Sequence, residues 1–295
     1  MRRWAGVVAV LVATGCAGAD DDGPEGAEPD VELFGRGAIS TEAPEFAITF
    51  SPDGDTAYFN RTSADRSRLD LMVSVRSSGA WSEAVAFAPT AGISAIDPFM
   101  LPSGDELHFS SDLAAPGSNG SFGLWFLRRT DDGWSEPAPL PRPVNSDSSD
   151  VYTSFTSDGL MVFSSRRDGA RRIYSTRRVG QEWTAPTLLR FGDVTEASNP
   201  AIGPDGTFMV IAAPVEGRGA DLFVTCSTGA GWSEPRALPD PISSAYGELA
   251  PAIVDGWLYF TSERPGVVGP QPEGVRPPGD IYRTPLANVI GLCTS

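Results

Sequence analysis

A turn motif recurs five times along this chain at intervals of about fifty residues, and such a period confines a sequence to stacked or circular repeat architectures. The five turns are Ser51-Pro52-Asp53-Gly54, Pro102-Ser103-Gly104, Ser157-Asp158-Gly159, Pro204-Asp205-Gly206 and Val254-Asp255-Gly256. Proline presets φ, aspartate caps the turn through its side chain, and glycine accepts positive φ, so each motif predicts a tight link between antiparallel strands. A short alternating strand follows each turn: Ala57-Tyr58-Phe59, Leu107-His108-Phe109, Met161-Val162-Phe163, Met209-Val210-Ile211 and Leu258-Tyr259-Phe260. A third strand comes after a variable loop, within Leu69 to Val75, Gly123 to Leu127, Arg172 to Thr176, Asp221 to Thr225 and Asp280 to Thr284.

Four units end on a tryptophan element: Trp81-Ser82-Glu83-Ala84, Trp134-Ser135-Glu136-Pro137, Trp183-Thr184-Ala185-Pro186 and Trp232-Ser233-Glu234-Pro235. The prolines suit an edge strand, where no ladder donor is needed. The fifth unit has no such element after Leu286, whereas Val31-Glu32-Leu33-Phe34 stands before the first unit with the spacing of an outer strand. The reading is an all-β fold: a single β-propeller of about five four-stranded blades over residues 31–295, with six blades as the competing count. Pairing of Val31 to Phe34 with Asp280 to Thr284 would close the ring and leave no open edge between first and last blade.

The chain begins Met1-Arg2-Arg3 and continues with an apolar run from Trp4 to Gly15 that is too short to span a bilayer. A positive start, a short hydrophobic stretch and small residues describe an export signal. Leu11-Val12-Ala13-Thr14-Gly15-Cys16 resembles a bacterial lipobox, which implies a signal peptide over residues 1–16 and a lipid on Cys16. Ala13 stands where leucine is usual, so a plain secretory signal is the alternative. Residues 17–30 carry no aromatic or β-branched side chain and read as a disordered acidic tether. Ala17 resembles the pattern of lipoproteins passed on to the outer membrane, so the expected location is the cell envelope, lipid-anchored there. Cys226 and Cys293 lie in a compartment where disulfides persist; a bridge, an unpaired pair and a reactive or metal-bound thiol all stay open, although no neighbouring His or CxxC spacing supports the last.

The formal net charge is −16 and every basic side chain except His108 is arginine, because the chain has no lysine. That field argues against nucleic acid or an anionic membrane surface as partner and permits cations, basic proteins or neutral sugars. With 41% hydrophobic residues the bulk of the chain can form a core.

The repeat resembles the WD-like β-propeller repeat of the TolB type, with its S-P-D-G turn, L-x-F-x-S strand and D-[LI]-[YF] strand. Ser51-Pro52-Asp53-Gly54, Asp221-Leu222-Phe223 and Asp280-Ile281-Tyr282 match best, and the second unit lacks the aspartate of the turn. The resemblance covers Phe46 to Leu286; it implies a propeller strongly and an activity weakly, since the fold hosts many functions. TolB-like proteins are envelope binding proteins.

Propeller connectivity puts the insertions Leu113 to Ser121, Val215 to Gly219 and Pro265 to Gly279 on one face, together with the beginnings of the innermost strands. Polar residues stand there once per unit: Glu45, Asp97, Asp150, Asn199 and Glu248. A ring of such groups at a channel mouth would hold a hard cation such as calcium, bond sugar hydroxyls or meet a cationic peptide. The competing interpretation has them capping strand ends and pairing with arginine in solvent. Arg166, Arg167, Arg171, Arg172, Arg177 and Arg178 form a basic patch that would either dock an acidic partner or pair with neighbouring carboxylates. His108 and the tryptophans read as packing residues.

These features describe a non-catalytic binding or protein-interaction module for an envelope protein or carbohydrate, without cofactor and expected as a monomer. The alternative is a glycan-active hydrolase using the central acids. A purely structural surface component is a third class.

Overall fold

The computed structural model describes residues 30–63, 67–113, 121–268 and 279–293. The signal segment with Cys16, the tether up to residue 29 and most of the insertions at 113–121 and 265–279 lie outside the described residues. A two-residue strand β1 (Glu32–Leu33) comes first. Blade one then contains β2 (Glu45–Phe50), β3 (Thr56–Thr62), β4 (Leu69–Ser77), β5 (Ala80–Trp81) and β6 (Val85–Ala86). Blade two contains β7 (Ala95–Met100), β8 (Glu106–Ser111), β9 (Gly123–Thr130), β10 (Gly133–Trp134) and β11 (Ala138–Pro139). Blade three contains β12 (Asp150–Phe155), β13 (Leu160–Ser165), β14 (Arg172–Val179), β15 (Glu182–Trp183) and β16 (Thr187–Leu188). Blade four contains β17 (Ser198–Ile202), β18 (Phe208–Val215), β19 (Gly219–Cys226) and β20 (Arg236–Ala237). Blade five contains β21 (Glu248–Val254), β22 (Trp257–Ser262) and β23 (Asp280–Pro285), and takes β1 as its outer strand.

The ring is a five-bladed β-propeller, closed as the termini predicted: Glu32 pairs with Arg283 and Leu33 with Tyr282. Phe34 then inserts between the first and last blades, edge-on to Phe50, Trp81 and Tyr259 with ring centroids 5.7, 5.9 and 5.0 Å away. The core is divided into five apolar wedges, one between each pair of adjacent blades, and a smaller cluster of Ala47, Val151, Tyr152 and Ala250 from the innermost strands. Period-two alternation explains the division, because Ala57 and Phe59 face one wedge while Tyr58 faces the next.

The turn glycines adopt the positive φ expected of them, from 71° at Gly54 to 83° at Gly159. In the first turn Asp53 accepts from the Ser51 hydroxyl and the Asp55 amide, as a capping aspartate should. The fifth turn differs: Asp255 is itself at φ 47° beside Gly256 in a two-residue hairpin, so it serves there through backbone tolerance of the left-handed region. The tryptophan elements are broken strands. The hydroxyl after each tryptophan (Ser82, Ser135, Thr184, Ser233) accepts the amide of Val75, Arg128, Arg177 or Cys226, replacing a ladder bond where the edge strand kinks. Cys226 and Cys293 form a disulfide that ties the segment after the short helix α1 (Ala287–Ile290) to β19 of blade four. His108 is buried between Phe126 and Phe155, with Nε2 3.1 Å from the Glu106 carboxylate.

Phe34→Ala should cost about 3–5 kcal/mol, the usual loss for a buried aromatic. Urea unfolding of the variant checks this; a loss below about 1 kcal/mol would mean that the terminal latch does not hold the ring.

Candidate functional site

Each innermost strand carries one β-bulge, and the bulge residues are the non-glycine positions Ala47, Asp97, Tyr152, Asn199 and Ala250, with φ between 46° and 61°. At four junctions the bulge amide is held by a side chain of the preceding blade. Thr261 Oγ1 accepts from Ala47 (3.2 Å), Asn60 Oδ1 from Asp97 (2.8 Å), Ser110 Oγ from Tyr152 (3.1 Å) and Ser164 Oγ from Asn199 (3.0 Å). Turning the amide outward to that acceptor turns the residue into the left-handed region, at the axis.

The five residues expected to form one ring therefore occupy two different positions of the inner strand: Asp97 and Asn199 at the bulge, and Glu45, Asp150 and Glu248 ahead of it. Glu45, Asp150 and Glu248 stand two positions before the bulge and are fully buried at the starts of β2, β12 and β21. The Glu45 carboxylate accepts from the Thr41 amide (3.0 Å) and hydroxyl (2.6 Å) and from Arg61 Nε (2.7 Å). Asp150 accepts from the Ser146 amide (2.6 Å) and hydroxyl (2.7 Å) and from Arg167 (3.0 Å). Glu248 is held by the Ser244 hydroxyl, by Ser262 (2.8 Å) and by Arg264 (3.2 Å).

Each arginine also donates to carbonyls of the loop that enters the blade: Ala38 and Ile39, Pro143 and Val144, or Pro241 and Ile242. The guanidinium planes cover Phe59, Phe163 with Tyr174, and Phe260 with Tyr282. These three acids are clamps that fasten incoming loops. The pairing with arginine that the sequence left open is present, but in the interior instead of in solvent. Burial raises the carboxyls of Glu45 and Glu248 above the ordinary range, against the opposing hydrogen bonds of Thr41 and Ser244 and the charges of Arg61 and Arg264.

Asp97 and Asn199 are bulge residues, and they face a cavity of about 610 Å³ at the axial mouth on the insertion-bearing side. Glu45 reaches its wall as well, whereas Asp150 and Glu248 do not line it. One part of the wall is apolar, with Phe46, Leu69, Ile96, Phe122, Val151, Tyr152 and Leu249. Another part is polar, with Asp97, Ser149, Arg171, Ser198 and Asn199. Asp97 is 7% exposed, and desolvation pushes its carboxyl up to about 7 although the Ser110 hydroxyl and the Arg171 charge oppose the shift. Beneath the mouth the axis narrows among Pro98, Thr49, Ser154, Pro200 and Pro251. Among the described residues no group of three or more His, Cys, Asp or Glu is gathered to hold a metal ion.

The basic patch of blade three is dispersed by the fold. Arg167 is a clamp, Arg177 pairs with Asp158 (2.9 Å), Arg178 lies 3.6 Å from Glu106, and Arg172 reaches the Thr195 carbonyl. Arg171 alone of the six lines the mouth. Sequence reading named the patch but not this division, and it missed Tyr152 and Phe122. A usable signal was present: Ala47, Asp97, Tyr152 and Asn199 each stand seven residues before the glycine of their turn, whereas Glu45 and Asp150 stand nine before.

No protein-family model matches the chain, and no curated protein matches it either. Among solved structures it is similar to a putative TolB from Agrobacterium tumefaciens, at 18% identity and TM-score 0.51, over 75% of this chain and 71% of that one. It is similar also to an α-L-arabinofuranosidase from Podospora anserina solved with cellotriose, at 12% identity and TM-score 0.51, over 86% and 92% of the two chains. A GH62 hydrolase in complex with xylotriose gives 10% identity and TM-score 0.51 over 83% and 92%. At these identities the likeness is one of fold, shared by a TolB-like propeller and by glycan hydrolases alike.

Two measurements test this account of the acids. Arg167→Met should cost about 3–5 kcal/mol in urea unfolding, because it strands the buried Asp150 carboxylate. For Asp97 the folded chain keeps a proton that the unfolded chain, with its ordinary value of 3.8, has lost between about pH 4 and 7. Its contribution to stability therefore falls as pH rises through that window, by up to about 1.4 kcal/mol per pH unit. Asp97→Asn should flatten that slope relative to wild type, and parallel pH profiles for the two proteins would contradict the assignment.

Proposed function

We propose that this protein is a non-catalytic binding module of the bacterial cell envelope, tethered by a lipid on Cys16, whose protein or carbohydrate partner seats at the axial mouth. The observation that carries this reading is the fate of the acids. A glycosidase that works by the usual route needs two carboxylates flanking the scissile bond, and three of the four central acids are occupied by arginine clamps. What remains at the mouth is a partly apolar cavity of ligand size with a few convergent polar groups, the ordinary makeup of a binding site. The insertions on the same side would give a larger partner additional surface. The export signal and the TolB-type repeat agree with an envelope binding role.

A glycan-active hydrolase is the second reading, and Asp97 is what favours it. A carboxyl that stays protonated up to about 7 suits a general acid, and Glu263, which also lines the cavity, would have to act as its partner.

The two readings separate in one set of assays on the full chain. The expected result is saturable binding to isolated envelope fractions, weakened tenfold or more by Asn199→Trp and Phe122→Ser at the mouth, with no turnover of a chromogenic glycoside panel. Protease treatment of the fractions tells a protein partner from a carbohydrate. Glycoside turnover that disappears in both Asp97→Asn and Glu263→Gln would replace the binding reading with the hydrolase.

A further inference from the structure

The chemistry of the mouth narrows what it can take. Its charged groups are Glu45, Asp97, Arg171 and Glu263. Glu45 is consumed by Thr41 and Arg61, Asp97 is bonded by Ser110, and Glu263 is engaged as well. Arg171 is different. It is half-buried in the wall at the start of blade three's third strand, and its guanidinium makes no hydrogen bond or ion pair among the described residues. Its charged neighbours act only at a distance: Asp97 and Glu196 attract, and Arg166 repels. Most other arginines among the described residues are spent on carboxylates, carbonyls and ring faces, and Arg36, Arg166 and Arg190, which make no such contact, are exposed; a half-buried guanidinium with all five N–H donors left over is the exception.

Asn199 adds a second donor. Its side-chain oxygen is taken by the Ser198 hydroxyl (3.0 Å), which fixes the orientation of the amide, and its nitrogen makes no hydrogen bond among the described residues. Both leftover groups are donors, and donors of this kind select an acceptor-rich anion; the planar guanidinium fits a carboxylate with two parallel bonds. Phe46, Phe122, Val151, Tyr152 and Leu249 pack together as an apolar stretch of the wall that would cover an apolar body. We propose that the mouth takes an organic anion, a carboxylate carried on an apolar body, with Arg171 as its charge partner and Asn199 as its second donor. This rests on the mouth being the binding site. The net charge of −16 opposes the approach of such a ligand, but screening over about 8 Å at physiological salt leaves the outcome to the groups in contact.

The test uses the full chain and probes that share one body and differ in the head: 3-phenylpropionate, 3-phenylpropionamide and 3-phenylpropylamine, with glucuronate as a carboxylate on a polar body. Titration calorimetry should rank phenylpropionate at least about tenfold tighter than its amide and its amine, and tighter than glucuronate. Arg171→Gln should weaken phenylpropionate at least about tenfold and the amide much less, so that the preference for the acid disappears, and Asn199→Ala should weaken phenylpropionate a few-fold. Circular dichroism and melting of both variants keep loss of fold apart from loss of binding. Equal binding of acid and amide, or tighter binding of the amine, overturns the anion assignment while the mouth stands as a site. Glucuronate ahead of phenylpropionate keeps the carboxylate and overturns the apolar body. Failure of all four probes overturns the assignment, and the envelope-binding assays with the mouth variants then decide separately whether the mouth binds at all.

Discussion

The hydrogen bond that four of the five bulge amides donate to a side chain of the preceding blade is the constraint on which the geometry of the axis depends. Blades are joined elsewhere by apolar wedges, which are strong but indifferent to small rotations about the axis. A bond that the next blade's backbone amide donates to Asn60, Ser110, Ser164 or Thr261 is directional, buried and costly to leave unmade. It fixes how far the inner strand must kink, and so which side chain is thrust into the mouth. The fifth junction has Ala212 at the equivalent position of β18, so blade five adopts the same bulge at Ala250 without that acceptor. Four constrained junctions in a closed ring leave the fifth little freedom.

The left-handed conformation costs an ordinary residue about 1–2 kcal/mol. Asparagine and aspartate tolerate it best, and they occupy two of the five positions; alanine and tyrosine in the other three carry the strain outright. Strain of this kind persists only where the surroundings over-determine it. Here the surroundings are the inter-blade bonds on one side and, on the other, the arginine clamps two residues earlier, which pin the start of the strand in blades one, three and five. The acids of the clamp and the residues of the mouth are thus two halves of one device. The clamp anchors the strand so that the bulge can hold its residue at the axis.

Much of this was legible in the sequence because it is periodic. The turn, the alternating strand and the tryptophan element repeat with their spacing intact, and five apolar wedges with terminal closure follow from them. The hydroxyl after each tryptophan was visible too, and its role in splicing the broken edge strand is plain once its amide partner is known. The division of the acids was not legible. An acid at the head of a strand reads the same whether it points to the axis or back into the blade, and an unrecognised bulge shifts the facing by one residue, which exchanges the two outcomes. Glu45 and Asp97 stand in comparable sequence surroundings, and only the count back to the turn glycine separates them. Arg171 was hidden for a related reason: among six arginines, the four that meet carboxylates or carbonyls and the exposed Arg166 mask the one that is half-buried with its donors unused.

Separation of backbone from side chain at the bulge explains how such a ring acquires specificity. The amide of the bulge residue serves the fold, and in four blades its φ is set by a neighbour in another blade, so the identity of the side chain does not decide the backbone there. Alanine, aspartate, tyrosine, asparagine and alanine can follow one another around the axis on a single backbone plan. The wedges cannot vary in this way, because a changed volume there is felt by two blades at once. Variation is therefore admitted at the mouth and excluded from the wedges, and a repeat that is nearly uniform in its turns and strands still presents an uneven surface. The unevenness of that surface, with apolar side chains beside the donors of Arg171 and Asn199, is the physical basis for choosing one ligand over another.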